Sequence, residues 1–547
     1  MARRPEGRTL SPETRGDLLL LVVLGLLLFL PGLGNHALWN PDEPRFAEVA
    51  REMAQSGALL VPTLNGEIYG HKPPLLFWSM LAASRLWGAL DETAVRIPVA
   101  VSACLVLPLV YLMGRWLFSR RAGWIAAAAL GTSINVMLQA RAAQIDMLLA
   151  LWVTLAMTCF VRGLVTHRRG WYLGFFAAAG VATLAKGPVG LVPPLLSIVA
   201  FLLWSGERDE LRRLRLIPGL ALYAAIVLAW LIPAGLSAGE SYLREIVFRQ
   251  NLTRYADPWG HIEPWYYYLT VLPVNFAPAF LLLPSSIAYA ARRLEGRARQ
   301  GFRFALCWAA VTLVFFSATP GKRGVYLLTM YPALALLIGA ALDRLSREAA
   351  PRRRWLLAPL GLIAAIAAAA AAVLPAAIRS RPALEVLGPG FARHGVATLG
   401  LLALGAALGC AFAWRRRVLA AFCSLAAGSG IAALAGVLLL LPPFDALNSA
   451  RELSAQLVQR ANPSEPYAIY PRIEPGFLFY TARFAVLPRG EQELREFAAR
   501  PGRVWLLAKR HALARLDPPL PLTEVARDRD LDQGYILLTT PTEPGGE

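Results

Sequence analysis

VLAAFCSLAAGSGIAALAGVLLLL, residues 418–441, contains no charged side chain and is long enough to cross a bilayer as a helix, which takes about 20 apolar residues. Asp17–Leu30 and Leu356–Leu374 are runs of the same kind. They recur along a chain of 547 residues that is 56% hydrophobic and 17% charged, with a mean hydropathy of +0.47. A soluble protein carries about 25% charged residues. The sequence therefore reads as mainly α, a polytopic membrane bundle of about thirteen transmembrane helices. The expected spans are 16–33, 95–118, 122–140, 144–165, 170–184, 187–204, 214–236, 265–290, 302–317, 323–343, 354–375, 395–413 and 418–441. No cleavage pattern follows the first run, which reads as a retained span and not a leader.

The loops between these runs account for the net charge of +19. Arg3, Arg4, Arg8 and Arg15 precede the first run, and Arg115, Arg120 and Arg121 follow the second. Arg162, Arg168, Arg169, Arg208, Arg212, Arg213, Arg292, Arg293 and Arg415–Arg417 continue the pattern in every second loop. Short arginine-rich loops on alternate sides give a cytoplasmic N-terminus, and an odd number of spans places the C-terminus outside. The same alternation removes nucleic acid as the explanation for the positive charge. Cys104, Cys159, Cys307, Cys410 and Cys423 all fall inside apolar runs, so no disulfide framework is expected in the outward parts.

Two outward loops are long. The first, 34–94, contains Pro44–Gln55, where Phe46, Val49, Ala50 and Met53 recur at helical spacing and suggest an amphipathic helix on the membrane surface. The second, 237–264, mixes charges with Tyr242, Phe248, Tyr255 and Trp259 and leads into Trp265-Tyr-Tyr-Tyr268, an interfacial anchor. The expected division is a membrane region, 1–444, and a soluble extracytoplasmic α/β domain, 445–547. In the latter, Asn448–Arg460 and Glu491–Arg500 read as helices. Tyr467–Tyr470, Phe477–Tyr480, Val504–Leu507 and Tyr535–Thr539 read as strands.

Candidate chemistry lies at the outward ends of the spans. Asp42 and Glu43 follow the first run, and Asp146 in Arg141-Ala-Ala-Gln-Ile-Asp146 opens the fourth. An ionisable group at that depth needs a partner or a task. Lysine occurs only at Lys72, Lys186, Lys322 and Lys509 in this arginine-rich chain. The first three lie beside Pro or Gly at outward positions. Together with Arg45 and Arg323 they would make a site for a phosphate or diphosphate, the alternative being cations that reach to lipid headgroups. His71 and His261 fall in the two long loops, each near a carboxylate (Glu67 and Glu263), a combination suited to zinc or a similar divalent ion.

Three segments taken together resemble the C-type membrane glycosyltransferases that use polyprenyl-phosphate sugars. They are Pro41-Asp-Glu-Pro-Arg-Phe-Ala-Glu48, Tyr69-Gly-His-Lys-Pro-Pro-Leu-Leu-Phe-Trp78 and Ser317-Ala-Thr-Pro-Gly-Lys-Arg-Gly-Val-Tyr326. The likeness is nearest to the lipid A aminoarabinose transferase group, kin to the protein O-mannosyltransferases, and extends to about Pro332. The resemblance implies that Asp42 and Asp146 are the catalytic carboxylates. It also implies that Arg45, Lys72 and Tyr326 hold the donor's phosphate, that Tyr69 lines the pocket and that His261 binds a metal. Position 71 departs from the pattern, with His where the relatives carry Glu, and the metal is what that puts in question. The implied activity is inverting transfer of a monosaccharide, 4-amino-4-deoxy-L-arabinose in the nearest group, from a polyprenyl phosphate to lipid A in a bacterial inner membrane. A protein or another envelope glycan as acceptor is the alternative within the class. A secondary transporter is the rival from outside it, but that would show a repeat between the two halves and charges at midplane, and neither is present.

Overall fold

The computed structural model describes residues 11–253, 260–528 and 534–541. Arg3, Arg4, Arg8, Tyr255 and Trp259 lie outside them. The first part of the chain is helical: α1 (Pro12–Phe29), α2 (Asp42–Ser56), α3 (Leu75–Trp87), α4 (Glu92–Leu117), α5 (Arg120–Gly131), α6 (Ile134–Gln139), α7 (Ile145–Thr166), α8 (Gly170–Lys186), α9 (Val192–Ser205), α10 (Arg208–Arg213) and α11 (Leu216–Leu243). Further long helices are Gly296–Ala318, Tyr331–Ser346, Arg354–Arg379, Gly390–Trp414 and Val418–Leu440. The core lies where α4, α5 and α7 meet Tyr331–Ser346, with Val99, Leu107, Ala126, Leu130, Met147, Leu334 and Ile338 among its buried side chains. Small residues bring backbones close there: a Cβ on Gly339 would lie 2.4 Å from the Ala122 carbonyl oxygen.

Among the described residues nine helices are long and apolar enough to cross a membrane, or ten counting one bent pair. Four of the thirteen expected spans differ from that set, each for a local reason. The expected span 16–33 is α1, which is shifted toward the N-terminus and carries Glu13, Arg15 and Asp17 in its first turns. The expected 122–140 is two helices, α5 and α6, interrupted at Thr132 and Ser133. The expected 187–204 opens as the turn Gly187–Gly190 and continues as the short α9, whose first residues are Val192-Pro-Pro194. The expected 265–290 is Tyr267–Asn275 and Ala279–Arg293, bent by 106°. Pro278 sits in that break, where a residue without an N–H cannot continue a helix ladder.

Two further expectations change. Pro44–Gln55 is helical within α2, but it is not a surface helix: nearly all of it from Asp42 to Met53 is buried. It lies against α3 and the helix Pro475–Thr481, and its charges are therefore paired inside. Arg51 makes a two-pronged contact with Glu48, 2.6 Å from Nε and 2.5 Å from Nη2. Glu52 accepts from the Thr63 hydroxyl at 2.7 Å and from the Gly66 N–H at 3.1 Å, which pins the hairpin of β1 (Thr63–Leu64) and β2 (Glu67–Ile68). The loop 237–264 is helical over its first part, because α11 runs to Leu243 and continues as a wide π-turn, Arg244–Thr253.

The C-terminal segment builds a four-stranded sheet in the order β3 (Tyr467–Tyr470), β4 (Trp505–Lys509), β6 (Tyr535–Thr539), β5 (Thr523–Arg527). The β3–β4 pair is parallel and the others antiparallel. Trp505, Leu507 and Leu537 face Leu453, Leu457 and Phe477, while Leu506, Ile536 and Leu538 face Leu494 and Phe497. Phe477–Tyr480 belongs to the helix Pro475–Thr481 and not to a strand, because Pro475 starts a helix that turns Phe477, Leu478 and Thr481 inward. This segment docks on the stretch before α2. The Ala37 N–H and the Trp39 indole donate to Asp445, each at 2.8 Å, and the Leu38 N–H donates to the Tyr480 hydroxyl at 2.7 Å. The Asn65 side chain exchanges two hydrogen bonds with the Ala485 backbone, at 2.9 and 3.0 Å.

Candidate functional site

Asp42 opens α2 and is 5% exposed. One carboxylate oxygen meets Arg45, a turn along the same helix, and the other meets Arg323 at 2.7 Å. Burial alone would raise this carboxyl. Arg323, Arg45 and Lys72 outweigh burial and hold it below the ordinary carboxylate range.

Asp146 stands in the first turn of α7 and is also buried. It pairs with Lys186, the last residue of α8. The Lys186 ammonium lies 4.1 Å above the centre of the Tyr326 ring, a cation–π contact. Tyr326 and Arg323 belong to one turn, joined by the Tyr326 N–H to Arg323 carbonyl hydrogen bond at 3.0 Å. That single turn therefore reaches Asp42 through Arg323 and the Asp146–Lys186 pair through Tyr326. Arg323 also feels the charge of Asp146. Two carboxylates from distant segments thus share one surface, on which Arg45, Lys72, Lys186 and Arg323 outnumber them.

Tyr69 is buried with its ring 4.8 Å from His71 and 6.3 Å from Phe77. Lys322 departs from the expectation of a phosphate contact. It is 3% exposed, and its ammonium donates to the Glu263 carbonyl at 2.9 Å. Its own N–H donates to the His261 carbonyl at 2.9 Å, and the Glu263 N–H donates to Pro320 at 3.1 Å. Lys322 thus ties 261–263 to 320–322, its ammonium bound to a backbone carbonyl.

The two histidines do not assemble a metal centre here. Among the described residues no three His, Cys, Asp or Glu side chains converge in a way that would hold a metal ion. His71 lies within reach of the charge of Glu245 in the π-turn. His261 takes its position through a backbone carbonyl and a left-handed φ of 58°.

Three further residues matter. Lys186, one of the three outward lysines expected at a phosphate site, is the partner of Asp146. Glu474 comes from the C-terminal segment, is 9% exposed and feels the charge of Arg45. Glu43 turns away from the pocket to Arg96, a fully buried arginine. A groove of about 380 Å³ lined by Trp265, Tyr268, Leu269, Leu313, Val314, Ser317 and Ala318 lies next to the site. Tyr326 packs on Phe316 at 5.5 Å, and Tyr268 lies within reach of the Asp146 charge.

Residues 71–234 match the family model described as dolichyl-phosphate-mannose-protein mannosyltransferase, and residues 252–397 match the Alg9-like mannosyltransferase family. In sequence the chain is similar to the C-type membrane glycosyltransferases. It is 32% identical over 338 residues to undecaprenyl phosphate-alpha-4-amino-4-deoxy-L-arabinose arabinosyl transferase 1 of Pseudomonas fluorescens, covering 60% of each chain. A Pseudomonas aeruginosa enzyme of the same description is 32% identical over 367 residues, 65% of each. The chain thus spans somewhat under two thirds of the length of the curated relatives it matches. In structure it is similar to ArnT from Cupriavidus metallidurans bound to undecaprenyl phosphate, with a TM-score of 0.83, 23% identity and coverage of 97% of this chain and 99% of that one. That likeness establishes the fold, a multi-pass membrane bundle with the C-terminal sheet.

The depressed Asp42 carboxyl gives a pH-dependent contribution to stability. A folded-state value below the unfolded one, about 3.9, stabilises fully above that value and is lost as pH falls through the folded value. Asp42→Asn leaves two arginines without their carboxylate and should cost about 1–3 kcal/mol at pH 7. Thermal unfolding in detergent should show that gap at pH 7 and a narrowing of it below pH 4. A gap independent of pH would mean that Asp42 is not held as the anion.

Proposed function

We propose that the chain is an inverting glycosyltransferase that moves a monosaccharide from a polyprenyl-phosphate donor to an envelope acceptor. The observation that carries this reading is the Arg323–Tyr326 turn, which links Asp42 to the Asp146–Lys186 pair beside an apolar groove. A lipid with a phosphate head needs both parts: fixed cations for the head and an apolar channel for the first isoprene units. Names among the relatives favour 4-amino-4-deoxy-L-arabinose as the sugar. Lipid A is then the acceptor, and the site faces the outer side of a bacterial inner membrane. On this reading the N-terminus is cytoplasmic, the membrane region is 1–444, and 445–547 forms the extracytoplasmic domain that covers the site.

In the reaction the acceptor oxygen attacks the anomeric carbon while the bond to the polyprenyl phosphate oxygen breaks. The departing phosphate takes up negative charge, and Lys72, Arg45 and Arg323 are placed to stabilise it, with the Tyr326 hydroxyl as a further donor. Fixed cations in a partly dry cavity act more strongly than in water and need no reorganisation as charge builds. With a hydroxyl acceptor, Asp42 or Asp146 removes the proton. With a phosphate acceptor, already anionic, the carboxylates orient the sugar. One in-line displacement inverts the anomeric configuration.

Charged hydrogen bonds of the kind Lys72 offers are worth about 1.5–3 kcal/mol. Lys72→Ala should therefore weaken binding of undecaprenyl phosphate by roughly ten- to a hundredfold, measured by titration in detergent. Arg489→Ala, at an exposed position of the C-terminal segment, should not. Equal binding by both variants would make Lys72 a headgroup anchor. For orientation, a cysteine at Ser464 should react with an impermeant thiol reagent in intact spheroplasts. Labelling only after lysis would reverse the proposed topology.

A further inference from the structure

Glu43 follows the site carboxylate Asp42 directly, yet its side chain points the opposite way, into the protein. It is 4% exposed, and Arg96, near the start of α4, is 0% exposed. The two meet in a two-pronged pair, with Arg96 Nε 2.9 Å from one Glu43 oxygen and Nη2 2.9 Å from the other. The remaining guanidinium hydrogens donate to the carbonyls of Leu33 at 2.7 Å, His36 at 2.8 Å and Ala37 at 2.7 Å. A guanidinium has five N–H groups, and here all are used. Glu43 is as fully engaged: one oxygen also accepts the Ala143 N–H at 2.7 Å, the other the Trp39 N–H at 3.0 Å.

The partners fall into three parts of the chain. Leu33–Trp39 is the stretch leading to Asp42, Arg96 belongs to α4, and Ala143 lies three residues before Asp146. One buried ion pair therefore fixes the backbone on which each of the two site carboxylates is carried. A second buried arginine holds the same region from behind: Arg141 donates to Leu28 and to Met137, the latter at 3.0 Å, joining the end of α1 to α6.

We infer that Glu43 and Arg96 are positioning residues that hold Asp42 and Asp146 at their working separation. The inference rests on the glycosyltransferase reading above. Both side chains point away from the site, and of the cations assigned to the donor phosphate Lys72 and Arg323 sit on other segments, while Arg45 shares α2. Loosening the pair should thus disturb the geometry of the carboxylates and leave donor binding largely intact. A displacement near 1 Å at reacting groups costs about a hundredfold in rate.

Steady-state sugar transfer by the full chain in detergent, with undecaprenyl-phosphate aminoarabinose as donor, tests this. Glu43→Asp keeps the charge, but a side chain shorter by one methylene cannot span Arg96 and Ala143 together. Arg96→Lys keeps the cation but has only three donors on one nitrogen. Both should lower kcat about a hundredfold while KM for the donor stays within a few-fold and undecaprenyl phosphate still binds. The control is Glu48→Gln, which weakens another buried ion pair of α2. It should leave kcat near wild type. If Glu43→Asp and Arg96→Lys lower only the melting temperature and keep kcat, or if Glu48→Gln lowers kcat equally, the positioning role is overturned and the pair is ordinary core. Absence of transfer by the wild-type chain would instead overturn the functional reading beneath it.

Discussion

The ion pair between Asp42 and Arg323, 2.7 Å long, joins segments 281 residues apart in sequence. Burying a carboxylate costs several kcal/mol unless cations offset it, so Asp42 can sit where it does only if the 319–326 segment folds back over it. Once that happens, Tyr326 is carried to Lys186 and, through it, to Asp146. The site is thus a consequence of charge compensation at one end of a helical bundle. Asp42 pairs with Arg45 and Arg323, and Asp146 with Lys186.

The same constraint explains the place of the C-terminal sheet. The stretch 37–40 before α2 has backbone donors that no helix satisfies. Asp445, Tyr480 and the Asn448 carbonyl accept from them at 2.7–3.1 Å. Arg51 of α2 reaches the Ala482 carbonyl at 3.2 Å, and Arg451 pairs with Glu92 at the start of α4. A helix buried on both sides must pair its own charges, and α2 does so with Glu48 and Arg51. The C-terminal segment is therefore part of what holds the stretch that carries the first carboxylate.

Much of this was legible in the sequence. The long apolar runs are unambiguous because a bilayer imposes a length, and Val418–Leu441 appears as the helix Val418–Leu440. Of the four expected spans that differ in the structure, 122–140, 187–204 and 265–290 are interrupted by Pro or by polar residues that look harmless within an apolar average, and 16–33 is shifted toward the N-terminus. The surface-helix reading of Pro44–Gln55 failed because its apolar stripe was visible while the second face, covered from far along the chain, was not. Strand Thr523–Arg527 was missed since an edge strand half open to water lacks apolar alternation. In the site, the scarcity of lysine singled out Lys72 and Lys186. It also singled out Lys322, whose ammonium turned out to bind backbone carbonyls. Arg96 left one faint signal: it stands at the outward end of a span, away from every short arginine-rich loop.

The central claim is that the paired carboxylates carry out transfer of a sugar from a polyprenyl phosphate. The most direct measurement combines the purified chain with undecaprenyl-phosphate aminoarabinose and lipid A and follows both lipids by mass spectrometry. The account predicts lipid A heavier by one aminopentose, an equal amount of released undecaprenyl phosphate, and loss of both products in the Asp42→Asn, Asp146→Asn double variant. Unchanged lipids with the wild-type chain, or undiminished transfer by the double variant, would contradict it.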